Sequence, residues 1–280
     1  MNNNELRKVQ LLQLKLALKV KEICDRHKIN YFLIAGSLLG AVRHNGFIPW
    51  DDDLDIGMLR KDYEKFLFFA NKELPHYIFL QNWYTDKKMA LPYTKLQLKN
   101  TKYIEQNIQR AEIEKGIFID IFPFDNVPQK KNDLKKQKIL SFFYTRVLLM
   151  KSNYILWKKN QYLKRFIYIF IKIISFFYSY NFLHKKLEDI MKKYNNVPSK
   201  FIVNIGGSYG YDKEILFFEW INKTIDLNFE NNQFSCPIMY KRYLQHFYGN
   251  YLKFPPENER YNRHNIVIID FGNYKDISDL

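Results

Sequence analysis

Apolar residues recur at steps of three and four near the start of the chain: Val9, Leu12, Leu16, Val20 and Ile23, with Lys and Glu between them. That period predicts an amphipathic helix over residues 5–26. Asn30 marks a turn. The unbroken apolar run Tyr31–Ala35 predicts a buried strand, and Gly36-Ser37 leads into a short helical stretch from Leu38 to His44. After the Asn45-Gly46 turn, Leu54–Met58 predicts a second strand, and Asp62 the cap of a helix running to about Glu73. Tyr77–Leu80, Leu96–Leu98 and Ile117–Ile121 predict further strands, with Pro123 and Pro128 closing the region. From Gln129 to about Tyr194 the pattern is helical, and Gly206–Gly210 breaks it. The remaining chain mixes helix, turn and strand around the rigid Pro255-Pro256 turn. Strands alternating with helices over the first 125 residues favour an α/β or α+β class, followed by a helical part.

A chain of 280 residues holds one large domain or two small ones. Its 47% apolar share excludes wholesale disorder. Cys24 and Cys236 lie too far apart in sequence for zinc spacing or a disulfide framework, so a reducing compartment is expected. The polar start, Met1–Glu5, lacks the apolar core of a signal peptide. The net charge of +15 is unevenly spread. Residues 129–200 hold 17 Lys/Arg against 3 Asp/Glu, a net of +14; the rest holds 27 against 26, a net of +1.

Pro49-Trp50-Asp51-Asp52-Asp53-Leu54-Asp55 packs four acids into five positions. Such repulsion calls for a compensating cation. On a strand, Asp51, Asp53 and Asp55 share one face, and a two-residue step is roughly 6.6 Å. Asp53 and Asp55 therefore suit one Mg²⁺, or two ions about 3.5–4 Å apart. Asp51 and Asp55 would stand roughly 13 Å apart, which makes Asp51 a supporting group rather than a ligand. An acidic surface turn and a structural calcium site remain open alternatives. An EF-hand does not, because its sixth and twelfth positions would be Ile56 and Asp62.

Two further features lend weight to the acids. A strand ending in Gly36-Ser37 and opening into a helix presents backbone N–H groups suited to phosphate. Asp120, inside the apolar run Ile117–Ile121, is costly to bury without a cation or donors and is the natural third carboxylate.

The run Phe32–Met58, with its Gly36-Ser37 turn and Asp51–Asp55 acids, resembles the LicD family. These are phosphocholine transferases of bacterial surface glycans, related to fukutin and fukutin-related protein. The resemblance continues in Asp62–Phe66, Phe118–Pro123, Tyr248–Tyr251, Pro255-Pro256, Arg260 and His264, and spans roughly residues 5–125 and 225–270. Ser37 stands where Thr is common in the family. The resemblance implies an α+β fold with a nucleotidyltransferase-like mixed sheet flanked by helices. Residues 1–128 would form its core, 129–200 a mainly helical basic insertion, and 201–280 the part that completes the catalytic domain.

The same resemblance implies transfer of a phosphorylated alcohol, phosphocholine foremost, from a CDP-linked donor to a glycan hydroxyl, with Mg²⁺ (or Mn²⁺) and release of CMP. Asp53, Asp55 and Asp120 would be catalytic and hold the metal, with Asp51 behind them. Gly36, Ser37, Arg43, His44, Lys95, Arg260 and His264 would contact substrate. The alternatives are attack on the α-phosphate of a nucleoside triphosphate, or a non-catalytic glycan-binding protein at a membrane surface.

Phe166–Leu183 carries one charge, Lys172, in 18 residues, with Lys164-Arg165 before it and Lys185-Lys186 after it. The central Lys and the symmetric basic flanks argue against a span and for an interfacial helix on an anionic membrane; an ordinary core helix is the competing reading. Interleaved bulky apolar residues disfavour nucleic acid. The expected location is cytoplasmic, peripheral on the inner face of the membrane, facing a lipid-linked acceptor.

Overall fold

A computed structural model of the chain describes residues 1–158, 160–262 and 264–274. In chain order the helices and strands are α1 (Asn3–His27), β1 (Phe32–Leu33), α2 (Ala35–His44), β2 (Asp55–Leu59), α3 (Arg60–Glu73), β3 (Ile78–Gln81), β4 (Thr94–Leu98), β5 (Lys102–Glu105), β6 (Phe118–Asn126), α4 (Lys131–Lys151), α5 (Tyr162–Phe176), α6 (Tyr180–Lys192), β7 (Phe201–Val203), β8 (Ile215–Phe217), β9 (Thr224–Phe229), β10 (Asn232–Pro237), α7 (Tyr240–Tyr248) and β11 (Ile266–Asp270). The class is mixed α+β.

The main sheet runs β1–β2–β6–β4–β3, with β7 pairing the far end of β6 and β8 pairing β7. Only the β2–β6 pair is parallel in this sheet. Two smaller antiparallel pairs, β9–β10 and β5–β11, fold residues from the later part of the chain onto its first half.

Helix α1 starts with a capping box, in which the Asn2 side chain accepts from Glu5 N–H and Glu5 reaches back to Asn2 N–H. Its predicted stripe is buried: Val9, Leu12, Leu16, Val20 and Ile23 sit in the main core with Ile56, Leu96 and Ile119 from the sheet. Asp62 does not cap α3. The cap position is Leu59, and the Asp62 carboxylate lies in the first turn, accepting from Asn30 N–H at 3.3 Å.

Pro123 does not end β6. Asp120 N–H points to Leu54 O on the β2 side, so the position of the missing Pro123 N–H faces the β4 side. Pairing with β4 has ended by then at Ile121, and no ladder bond is lost. The basic block forms α4, α5 and α6, with α5 and α6 meeting at 107°. Among the described residues, no single helix is long and apolar enough to cross a membrane. Asp125, fully buried at the end of β6, takes a bidentate pair from Arg60 (2.8 and 2.5 Å) and a bond from Asn195 at 2.6 Å. That contact fastens the segment following α6 to the sheet.

Candidate functional site

Strand register alone assembles the centre of the site. Asp55 on β2 stands directly opposite Asp120 on β6, and Lys95 on β4 stands opposite the same Asp120 from the other side. Directly opposed residues share a face. Three neighbouring strands therefore present Asp55, Asp120 and Lys95 as one row, and Lys95 Nζ donates to Asp120 Oδ1 at 2.7 Å. The same ammonium lies 3.2 Å from the centre of the Phe118 ring.

The four-acid run behaves differently from an extended strand, because β2 begins only at Asp55. Residues 51–54 are irregular and are held from below by α1. Gln10 Nε2 donates to Asp51 O at 2.8 Å, and Gln13 Nε2 to Asp52 O at 2.7 Å. Asp51 thus lies outside the strand on which its roughly 13 Å spacing to Asp55 depends. The Asp51 and Asp53 side chains share a hydrogen bond, and Asp51 lies against Gly36. A Cβ at Gly36 would overlap Asp51 Oδ2, so any larger residue there would push the Asp51 carboxylate aside. The next residue, Ser37, accepts the Asp55 N–H on its Oγ at 2.8 Å, which fixes the start of β2. Ala35 adopts φ +48°, a left-handed conformation that disfavours a Cβ, and its N–H donates to the Tyr243 hydroxyl at 3.2 Å.

Asp52 turns away from the others and is buried. It takes hydrogen bonds from the Tyr103 hydroxyl and from His264 Nδ1, the latter at 2.7 Å. His264 Nε2 stands 3.9 Å from Asp53 Oδ2. Burial works against a charged imidazole there, but the Asp52 hydrogen bond and the charges of Asp53 and Asp52 outweigh it and raise His264 to about 10.

The acids carry the opposite stress. Burial, then the charges of Asp53 and Asp52, hold Asp51 well above the usual carboxylate range. Asp55 is held up by burial, then by Asp53 and Asp120. Asp53 is raised by burial and by Asp52, with His264 pulling it back. Burial raises Asp120 to about 6 despite Lys95. This is a set of carboxylates short of positive charge, although among the described residues no three acidic, histidine or cysteine side chains already converge on one point.

Asp53, Lys95, Asp120 and His264 line a cavity of about 940 Å³. Its far wall comes from the basic block and the loop after β7, including Phe142, Arg146, Leu149 and Tyr154. The Arg146 Nε and Tyr154 hydroxyl groups are buried there without a hydrogen-bond partner among the described residues. Of the residues expected at the site, Lys95 and His264 arrive, and Gly36 and Ser37 shape it. Arg43, His44 and Arg260 gather around Phe254 and Trp50, the residue before Asp51, and do not line the cavity. Arg43 and Arg260 lie 4.7 and 5.5 Å from the Phe254 ring, and His44 meets it edge-on. Arg43 donates to Tyr251 O and Arg260 to Pro255 O.

Sequence reasoning missed Gln10, Gln13, Tyr103 and Tyr243. The glutamines did leave a signal, as polar residues beside the apolar stripe of α1; the two tyrosines left none among 21.

The family model described as LicD/FKTN/FKRP, nucleotidyltransferase domain, matches residues 28–147. The lipopolysaccharide cholinephosphotransferase LicD of Haemophilus influenzae is 31% identical over 265 residues, covering 92% of this chain and 96% of that protein. Human ribitol 5-phosphate transferase FKRP is 53% identical over 34 residues, 12% of this chain and 7% of its own. An uncharacterized protein of Rickettsia prowazekii is 54% identical over 41 residues, 15% of each chain.

Proposed function

The chain belongs to the LicD family, and from that premise we propose that it transfers phosphocholine from a CDP-linked donor to a hydroxyl of a lipopolysaccharide-type glycan, releasing CMP. The observation that carries this reading is the row Asp55–Asp120–Lys95, of which Asp120 and Lys95, together with Asp53, line a cavity large enough for a nucleotide. It lies within a chain similar to a cholinephosphotransferase along nearly its whole length.

The carboxylates fit a hard divalent cation: oxygen donors only, crowded together and short of positive charge. Asp53 and Asp55 would hold Mg²⁺, with Asp120 beside them, and the ion would neutralise a diphosphate and its leaving CMP. The other roles fall to the chain's own side chains. Asp120, raised to about 6, is matched to take the proton of an acceptor hydroxyl near neutral pH. Lys95 fixes Asp120 through Oδ1 and offers positive charge to the phosphoryl oxygens. His264, charged at neutral pH, holds Asp52 and sets the His264–Asp53 side of the cavity. Arg146 and Tyr154 on the far wall have unused donors for the glycan.

The test is incubation of the full chain with CDP-choline, Mg²⁺ and a lipopolysaccharide lacking phosphocholine. CMP is quantified by chromatography and phosphocholine on the glycan by mass. Equimolar CMP and modified glycan are expected. Pyrophosphate from a nucleoside triphosphate with no CMP would replace the reading with nucleotidyl transfer. Tight CDP-choline binding without turnover would replace it with a non-catalytic one.

A further inference from the structure

Helix α5 is built inside out. Leu163, Phe166, Phe170, Ile173 and Phe177 recur at steps of three and four, forming one stripe along the helix and its C-cap. That stripe faces solvent: Leu163 is 76% exposed, Phe166 72% and Phe177 81%. Two of the polar groups of α5 face the protein instead. Ser175 is buried, and Lys172 Nζ donates to Lys151 O at 3.1 Å and to Asn153 Oδ1 at 2.8 Å. A helix in water normally shows the reverse arrangement, and apolar faces of this extent mark a surface made for an apolar partner.

We propose that α5 lies in the plane of an anionic lipid leaflet and docks the whole protein there. Charge selects this occupant over a second copy of the chain. The block around the helix carries a net +14, and Lys164, Arg165, Lys185 and Lys186 are exposed at the ends of the apolar run. Two such blocks would repel one another, whereas an anionic leaflet attracts each of them. At 15 residues, about 22 Å, the helix suits lying in the interface and is too short to span it. The docking site also bears on the cavity. Helix α5 packs on α4, and α4 carries Ile139 and Phe142, both exposed and both lining the cavity. A membrane-borne glycan would then reach Asp120 past an apolar rim; this consequence rests on the phosphotransfer reading, while the docking itself does not.

Full-length protein is sedimented with vesicles of phosphatidylcholine alone and of phosphatidylcholine mixed with phosphatidylglycerol, at low and high salt. Preference for the anionic vesicles is expected, weakened but not erased by salt. Phe166→Ser with Phe170→Ser should reduce binding about tenfold or more and leave the rest salt-sensitive. Glutamine at Lys164, Arg165, Lys185 and Lys186 should reduce it about tenfold or more and remove the anionic preference. Phe170→Trp supplies a direct probe, whose emission should shift to the blue with anionic vesicles and be quenched by brominated lipid. No anionic preference at low salt, or an emission from the F170W variant that anionic vesicles leave unshifted, overturns the proposal. So does a dimer in light scattering that the serine changes abolish while vesicles are ignored. None of these readings uses catalysis, so their failure is separate from failure of the transferase reading.

Discussion

The acid pocket and helix α5 pose the same problem in opposite currencies. In the pocket, Asp51, Asp53 and Asp55 crowd like charge into a half-buried corner with His264 and Lys95 as nearby cations. On α5, a stripe of Phe, Ile and Leu is left in water. Each arrangement carries a stress that something outside the chain would relieve: a cation in one case, an apolar surface in the other. Helix α1 is the internal control. It has the same three-and-four periodicity as α5, but its stripe is buried in the core and its polar Gln10 and Gln13 are used to hold the acid run. Periodicity sets which residues share a face and leaves open what that face meets.

The largest effect should come from the acids. Asp53→Asn or Asp55→Asn should lower CMP release by about a hundredfold or more while the protein melts at the same or a higher temperature in metal-free buffer, because repulsion is relieved. If either variant kept more than a tenth of its turnover, the pocket would not differ from an ordinary acidic surface. Asp120→Asn should cost about a hundredfold in turnover. Mg²⁺ binding by calorimetry then decides its part: retained affinity marks a proton acceptor, lost affinity a ligand. Neither change should alter vesicle binding, and an effect there would break the separation between the two regions.

Smaller changes sharpen it. Glu214 is buried beside the loop lining the cavity, and burial raises its carboxyl to about 7 although Tyr209 N–H donates to it. The folded state therefore holds a proton that the unfolded state gives up above its ordinary value of 4.5. The associated stability is complete below that value and is lost as pH rises through about 7. Glu214→Gln should remove that slope, a difference on the order of 3 kcal/mol at pH 8 read from melting curves across pH 4 to 8. An unchanged slope would mean that the carboxyl is not strained by burial. Lys172→Met should cost about 1 kcal/mol of stability, since two hydrogen bonds are lost. It should leave anionic vesicle binding unchanged; a matching loss would mean that the inner face of α5 takes part in docking.

Much of the site could be read before any coordinates, for a physical reason. Asp55 and Asp120 sit in short apolar strands whose pattern is local, and strand pairing then brings them face to face. Lys95 adjoined its strand candidate and was one of 44 basic residues until β4 paired with β6. What escaped depends on distant contacts. Nothing near Lys102–Glu105 announces that it pairs with Ile266–Asp270. The irregular path of residues 51–54 is held by two glutamines about forty residues upstream, so the strand rule does not apply to Asp51. Pro123 looked like an end because its missing N–H matters only if a neighbour is there to accept it.

The clasp of His264 on Asp52 has a consequence for how the protein comes to life. Its two ends are separated by 212 positions, and the β5–β11 pairing beside it is nearly as distant. Contacts of such sequence separation form late, after the entropy of closing long loops has been met. During synthesis at roughly 5–20 residues per second, Asp51–Asp55 and Asp120 leave the ribosome many seconds before residue 264 does. The nascent chain would thus carry its reactive acids in an unfinished pocket, with Asp52 unclasped and Ala35 without the Tyr243 hydroxyl. Catalytic competence would be acquired in one late step, so a ribosome-bound intermediate holding Asp51–Asp55 and Asp120 but not yet His264 should still be inert toward the donor.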